Sequence, residues 1–167
     1  MDHQLIAGHA GDDQLSRLRH LELNGRVLKD ADPVAAMCAI LRQAPDLESL
    51  TLIFETAPPE SFRDFRGCTE GELRDTHSLH YNQCDTLDYE PPAAIPPCLR
   101  SRVKEINLVH YQGGRAQRTL ARFLLGNAPL LEKLCCVFAQ GPLWIQTKLM
   151  LEMEGWVVSV RAGKEFY

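Results

Sequence analysis

Apolar residues recur along the chain in a pattern of three positions, in which the second lies three places and the third five places after the first. The pattern starts at residues 18, 47, 103 and 131, so the successive steps are 29, 56 and 28 residues. Because 56 residues correspond to two periods, a further unit is expected in "THSLHY", starting at Thr76. A sixth unit is expected in "VVSVRA", starting at Val157. The spacing therefore predicts six short units that repeat along the chain.

The repeated pattern is typical of short strands that lie side by side. Side chains alternate across a strand, so the apolar positions face a core and the intervening residues face the other side. A single unit cannot bury its own apolar face, and neighbouring units must therefore stack. The sequence predicts an α/β fold with a mainly parallel sheet of about six strands and helices on one side. The echo between "QAPDLESLTLIF" (43–54) and "NAPLLEKLCCVF" (127–138) follows from this stacking.

The first segment between two strands is predicted to be a helix that starts at Pro33, is capped by Asp32 and ends before Pro45. Its buried stripe comprises Val34, Met37, Cys38 and Leu41.

Two further helices are expected in the last third of the chain. One follows Gly113 and Gly114 and ends at Asn127, and the other opens at Pro142 and ends at Gly155. Their predicted apolar positions are Ala116, Leu120, Phe123 and Leu124 in the first, and Trp144, Ile145, Leu149 and Met153 in the second.

The centre of the chain is predicted to be irregular. Residues 55–75 and 82–102 hold six of the ten prolines, which disfavour helices. We expect residues 1–167 to form one repeat array, with a repeat half at 15–54, a Pro-rich centre at 55–99 containing a strand near 76–81, and a second half at 100–167. The alternative is a linker between two strand–helix–strand halves, 15–54 and 100–138.

The three-position pattern resembles the leucine-rich repeat, which implies a solenoid. From Cys98 onwards the chain also resembles the FBD region of plant F-box/leucine-rich-repeat proteins. The matching positions are Val103, Ile106, Leu108, Tyr111, Gly113, Phe123, Leu124, Leu125, Asn127, Ala128, Pro129, Leu130, Leu131 and Glu132. In that family an F-box docks onto a Skp–cullin ubiquitin ligase, and the repeats are thought to receive the substrate. No F-box segment precedes the first unit in this sequence, so we do not expect the ligase subunits to bind directly.

Composition and charge narrow the classes of partner. The formal charge is −4 and the pI is about 5.8, and no dense run of Lys and Arg is present, so a nucleic-acid surface is not expected. No apolar stretch approaches the ~20 residues of a membrane span. Residues 1–14 do not have the pattern of a secretory signal. The sequence predicts a cytoplasmic or nuclear protein whose six cysteines are mainly buried thiols.

Two groups of residues have side chains that could carry chemistry. His77, His80 and Cys84 have the residue types of zinc ligands, but paired Cys-x-x-Cys motifs are missing, and metal binding is not expected. Cys135 and Cys136 adjoin Lys133, yet alternation predicts a buried Cys136 and an exposed Cys135 in an ordinary strand. We therefore expect neither an enzyme nor a cofactor.

The predicted function is recognition of another protein by the residues that alternate with the buried ones. The predicted partner-binding positions are Arg19, His20, Glu22, Glu48, Ser49, Thr51, His77, Ser78, His80, Lys104, Glu105, Asn107, Glu132, Lys133 and Cys135. The alternatives are a decoy or regulator that sequesters a partner, and a small-ligand or zinc sensor. Leu5 and Ile6, or a second copy of the chain in a homodimer, are expected to cover the first edge of the sheet.

Overall fold

The computed structural model describes residues 15–26, 32–55, 79–82, 87 and 90–167. These residues form one sheet of five strands and four helices. In chain order the elements are β1 (His20–Gly25), α1 (Pro33–Arg42), β2 (Ser49–Phe54), α2 (Pro97–Ser101), β3 (Glu105–Tyr111), α3 (Arg115–Gly126), β4 (Lys133–Phe138), α4 (Leu143–Trp156) and β5 (Gly163–Phe166). The strands lie in the order β1-β2-β3-β4-β5, and every neighbouring pair is parallel. The α/β class and the parallel sheet are confirmed, with five strands rather than six.

Four of the predicted units align in the sheet as the three-position pattern requires. Their second positions form one cross-strand row and their third positions form the next, and all eight side chains are buried. The two rows are Leu21, Leu50, Ile106 and Leu134, and Leu23, Leu52, Leu108 and Cys136. Because every rung contributes aliphatic or thiol side chains to the same side, the core continues from β1 to β4.

The unit predicted at Thr76 is wrong as a rung of the sheet. β2 pairs directly with β3, with Leu52 opposite Leu108, so no strand lies between them. Leu79 and Tyr81 belong to a segment without strand structure, and Thr76 itself lies outside the described residues. Two parallel strands need a connection of at least a dozen residues, but a longer connection is also possible. The Pro-rich centre can therefore connect β2 to β3 without contributing a strand of its own.

The unit predicted at Val157 is wrong in register. α4 continues to Trp156, and β5 starts at Gly163, which lies opposite Lys133. Val160 is fully exposed in the intervening turn. The turn is held instead by Ser159, whose buried hydroxyl donates to the carbonyl of Leu131 at 2.5 Å. A polar anchor therefore fixes this turn at a place where the apolar pattern alone predicts a strand.

The predicted helix at Pro33 is confirmed. Asp32 Oδ1 accepts the backbone N–H groups of Val34 and Ala35, both at 3.1 Å, and so satisfies two amides at the start of α1. All four residues of the predicted stripe are buried.

The other helices agree with the sequence only in part. α3 buries the predicted Leu120, Phe123 and Leu124, and also Gln117 and Arg118, which no apolar pattern indicates. α4 buries three of its four predicted positions, but the side of the helix that bears Trp144 faces solvent, and this residue is 58% exposed.

The helix α2 lies in a region that was predicted to be irregular. Pro97 occupies its first turn, where the missing N–H of proline costs no hydrogen bond. Its Cys98 is buried and donates to the carbonyl of Leu41 at 3.5 Å, and nearby Arg42 Nη2 donates to the carbonyl of Ala94 at 3.1 Å. The end of the Pro-rich centre therefore packs against α1.

The echo of residues 43–54 in 127–138 is a repeated turn followed by a repeated aromatic position. In both copies the carbonyl of a buried alanine accepts the backbone N–H of the leucine three residues later, at 3.2 Å. The two pairs are Ala44 with Leu47 and Ala128 with Leu131. The closing aromatics, Phe54 and Phe138, lie on either side of Tyr111, with ring centroids 6.0 and 6.2 Å from it.

A bulge in β3 places Tyr111 in this aromatic row. The register shifts between Val109 and Tyr111, and His110 has a φ of 58°. One extra residue in the left-handed region moves the next side chain back to the core side. The aromatic row continues through Phe138 to Phe166, with ring centroids 6.0 Å apart.

No helix among the described residues has the length and apolar character needed to cross a membrane.

Candidate functional site

The side of the sheet opposite the helices carries the residues predicted to bind a partner, and we call it the open face. Parallel pairing aligns these residues into rows that run across β1 to β4. The first row is His20, Ser49, Glu105 and Lys133, and the second row is Glu22, Thr51, Asn107 and Cys135. All eight side chains are exposed or half-buried. Alternation along the strands therefore accounts for their lying on the side away from the core.

The residues that precede the four strands form one more row, at the amino-terminal edge of the sheet. Backbone N–H groups of Glu48, Lys104 and Glu132 donate to the carbonyls of Arg19, Glu48 and Lys104 at 2.8, 2.8 and 2.7 Å. The row alternates in charge, from Arg19 through Glu48 and Lys104 to Glu132. An interface with this row must therefore match both signs at a spacing of about 4.8 Å, the distance between neighbouring strands.

Polar side chains on the open face are linked across strands. Asn107 Nδ2 donates to Thr51 Oγ1 at 3.2 Å and to Glu105 Oε1 at 2.9 Å. Lys133 Nζ lies 3.8 Å from Glu165 Oε2 on β5. The bonds of Asn107 order the side chains between β2 and β3 at the centre of the face, so a partner would meet preformed donors and acceptors there.

The open face also has an apolar row that the sequence analysis missed. Ile53, Val109 and Val137 lie opposite one another, one alternate position beyond the second row, and each is half-buried. The three-position pattern ends one residue before this row, so it does not include it. Continuing the same alternation by one more residue would have found the row.

Of the three residues predicted for the third unit, the one that the structure describes does not join the open face. His77 and Ser78 lie outside the described residues. His80 is described and exposed, but its N–H donates to the carbonyl of Gln112, just beyond β3, at 2.7 Å. It lies at the carboxyl edge of the sheet because β2 and β3 leave no gap for a strand between them.

A buried ion pair joins α3 to α4 next to Tyr81. Arg118 Nε and Nη2 donate to Glu152 Oε1 and Oε2 at 2.7 and 2.6 Å, and the two side chains are 5% and 23% exposed. The guanidinium carbon lies 4.9 Å from the centre of the Tyr81 ring. The hydrogen bond to Glu152 raises the pKa of Arg118, against the opposing effect of burial.

Two donors of this cluster have no hydrogen-bond partner in the part of the chain that the structure describes. They are Arg118 Nη1 and the hydroxyl of Tyr111, and both are buried. Burial raises the pKa of Tyr111 well above its usual value, and the hydroxyl therefore keeps its proton. The sequence gives no signal for this cluster, since Arg118 lies on a helix whose apolar stripe is complete without it.

Two buried glutamines hold the turn between β3 and α3. Gln117 Oε1 accepts the N–H groups of Gln112 and Gly113 at 2.7 and 3.3 Å, and Gln117 Nε2 donates to Gln112 Oε1 at 3.2 Å. Gln112 Nε2 donates to the carbonyl of Glu55 at 3.2 Å, which ties the end of β3 to the end of β2. This network fixes the carboxyl edge of the sheet.

The cysteines in the described ranges are free thiols in strands and helices. Cys136 is buried as predicted, and burial raises the pKa of its thiol. Cys135 is half-buried rather than fully exposed.

No group of three metal-ligating side chains occurs among the described residues. Cys84 and His77, two of the three zinc candidates, lie outside them. The prediction that the protein binds no metal therefore stays a prediction.

The centre of the open face and the turn beside the ion pair lie in one continuous stretch of sequence, which contains α2, β3 and α3. Residues 90–135 match the family model FBD. The resemblance to an FBD-containing family is thereby confirmed over this stretch, which we call the FBD segment. No curated protein and no solved structure matches the chain.

The FBD segment supplies the middle of the sheet and a large part of the predicted surface. Lys104, Glu105 and Asn107 belong to it, and so do Glu132, Lys133 and Cys135 at its end. The match indicates an F-box-related role in protein interaction. Its strand β3 is the central strand of the sheet and pairs with β2 on one side and β4 on the other.

Proposed function

We propose that the protein is a non-enzymatic interaction module that binds another protein on the open face. The observation that carries the proposal is the continuity of the face. Two polar rows and a row of alternating charge run across four adjacent strands, and the apolar row lies beside them on three of these strands. The FBD segment supports it, because it occupies the centre of this surface.

The composition of the open face favours a protein as the partner. Protein interfaces combine an apolar centre with a polar, hydrogen-bonding rim. Ile53, Val109 and Val137 offer such an apolar strip, and the Thr51–Asn107–Glu105 hydrogen bonds lie beside it. We infer that a partner segment places aliphatic side chains along the strip and charges of both signs towards the rows near Lys104 and Lys133.

The proposal includes no catalytic step. Cys136 is removed from solvent and from its reactive thiolate form by burial, and its neighbours serve the core. We propose that the resemblance to F-box/leucine-rich-repeat proteins extends to function, so that the open face acts as a substrate-recognition surface arranged as a repeat solenoid. Co-purification of Skp and cullin subunits with the bound partner would support this role, whereas a partner recovered without them favours a regulator that sequesters it.

The test uses charge reversal on the open face. A partner is first identified by proximity labelling in the native cell and is then purified for titration against the wild-type chain. Lys104→Glu/Lys133→Glu is expected to raise the Kd of that complex at least about tenfold, because each lost charge pair contributes on the order of 1 kcal/mol. Binding measured by calorimetry gives the change directly.

A matched variant controls for net charge. Arg100→Glu/Lys148→Glu makes the same change in charge on α2 and α4, on the helix side of the sheet. It is expected to leave the Kd within about twofold of the wild type. Equal losses in the two double variants, or no loss on the open face, would contradict the proposal.

A further inference from the structure

Residues 79–82, which we call the strap, lie across the carboxyl edge of the sheet in the manner of a bound peptide. Leu79 is buried against Gly141, where a Cβ would overlap the leucine side chain. His80 is exposed, and its backbone N–H donates to the carbonyl of Gln112 at 2.7 Å. Tyr81 is half-buried over the guanidinium of Arg118. Side chains of the strap thus point in, out and in, as in an extended peptide that pairs with an edge and fills alternate pockets.

The surface beneath the strap is complete without it. The strap has contacts to Gln112 and Gly114 in the β3–α3 turn, to Arg118 on α3 and to Gly141 just before α4. Gln117 fixes the β3–α3 turn by its bonds to Gln112 and Gly113, and Glu152 fixes the guanidinium of Arg118. The pocket for leucine, the backbone acceptor and the cation for an aromatic ring are therefore held by elements other than the strap.

The strap leaves part of this surface unsatisfied. Arg118 Nη1 and the hydroxyl of Tyr111 are buried donors without a hydrogen-bond partner in the described part of the chain. A buried donor without an acceptor is unfavourable, so a ligand that brings an oxygen to it gains free energy that the strap does not. Glu152 already neutralises Arg118. A neutral acceptor, such as an amide or main-chain oxygen, therefore fits better than a second carboxylate.

We propose that this groove is a peptide-binding site that the strap occupies as an internal ligand. The external ligand is an extended segment of a partner protein, with an aliphatic residue, an aromatic residue two positions later, and a neutral oxygen acceptor that reaches Arg118 or Tyr111. Binding of the partner displaces the strap. The site is separate from the open face and does not depend on the function proposed for that face.

The experiment supplies the strap in trans. The probe is a fluorescent peptide with the sequence of residues 79–82, Leu-His-Tyr-Asn, acetylated and amidated, and the protein is the full chain. Leu79→Ala/Tyr81→Ala removes both anchoring side chains of the strap, so this variant is expected to bind the peptide at least tenfold more tightly than the wild type. A peptide with alanine in place of its leucine and tyrosine serves as the matched control and is expected not to bind.

The leucine pocket is tested in the same background. Gly141→Ala adds a Cβ at the place that the leucine occupies and is expected to abolish binding of the peptide. His80→Ala in the wild-type chain is the comparison for the strap itself. This change keeps both anchoring side chains of the strap and the backbone N–H of residue 80, so it is expected to leave the affinity as in the wild type.

Three results would overturn the proposal. One is a folded Leu79→Ala/Tyr81→Ala variant that binds the peptide no better than the wild type. Another is loss of cooperative unfolding in that variant, since the strap would then be a structural element rather than a displaceable ligand. In the wild-type chain, a saturating concentration of peptide is expected to speed hydrogen exchange at the His80 amide, and unchanged exchange with bound peptide counts equally against displacement.

Discussion

Replacing Glu152 by Ala is expected to lower the free energy of unfolding by about 3–5 kcal/mol. Both carboxylate oxygens of Glu152 accept from Arg118, whose side chain is only 5% exposed. Without Glu152 the guanidinium under the Tyr81 ring stays buried but loses both carboxylate acceptors, and a buried charge without a counter-charge is strongly unfavourable. Urea unfolding followed by circular dichroism measures the loss.

The control lies one half-turn away on the same helix. Glu154 is exposed, and Glu154→Ala is expected to change the free energy of unfolding by about 0.5 kcal/mol or less. Replacing both partners, as in Arg118→Met/Glu152→Leu, is expected to recover most of the stability because no buried charge remains. A loss below about 1 kcal/mol in Glu152→Ala would show that Arg118 reaches water without its partner.

Leu52→Ala is expected to lower the free energy of unfolding by about 2–5 kcal/mol, and Ile53→Ala by only about 1 kcal/mol. The two residues are neighbours of equal size on β2, but Leu52 is buried in the core row and Ile53 is half-buried on the open face. Leu52→Ala leaves a cavity between Leu23 and Leu108, its partners in the adjacent strands. The two substitutions therefore compare the buried and the open side of the sheet at neighbouring residues of one strand.

The readout is again the free energy of unfolding, with the slope of the urea transition as a check that the unfolded state is unchanged. Ile53→Ala has a second expected result, which is weaker binding of the partner, since it shortens the apolar row of the open face. Equal costs for the two substitutions would mean that the strand is buried on both sides.

Sequence patterns predicted the elements whose causes are local. The helix α1 is set by an Asp cap, a Pro at its first position and an apolar stripe with helical spacing, and each of these can be read from adjacent residues. The four aligned rungs follow from the same local alternation, repeated at nearly constant spacing. Because the stacking requirement is the same in each unit, the register of Leu50 with Ile106 could be expected from the pattern.

The two wrong rungs show where periodicity stops being sufficient. The pattern beginning at Thr76 has the right spacing, but Leu79 fills a pocket over Gly141 that is created only when β4 and α4 are in place. The pattern beginning at Val157 competes with the end of α4 and with the bond from Ser159 to Leu131. Both outcomes depend on contacts between residues far apart in sequence, which no local repeat encodes.

Of the two candidate sites, the open face follows from local patterns and the groove under the strap does not. The polar rows of the open face follow from alternation and were predicted residue by residue, whereas the apolar row of Ile53, Val109 and Val137 was missed by one step of the same rule. The groove under the strap could not be predicted. Arg118 becomes a binding residue only because Glu152 neutralises it and Tyr81 covers it, and these residues are brought together from three separate parts of the chain.

The direct pairing of β2 with β3 is the central claim, because it joins the strands of residues 15–54 and 100–167 into one open face. It can be tested by cross-linking Thr51→Cys with Asn107→Cys in a Cys135→Ser background. These positions are opposite each other on adjacent strands, about 4.8 Å apart and within reach of a disulfide. Thr51→Cys with the native Cys135 is the control, since β3 separates the two thiols by about 10 Å.

Mild oxidation of the folded protein, followed by mass spectrometry of the linked peptides, is the measurement. We predict a disulfide between positions 51 and 107 and none between positions 51 and 135. A folded protein without the 51–107 disulfide would contradict the direct pairing of β2 and β3, and with it the continuous surface on which the proposed interaction depends.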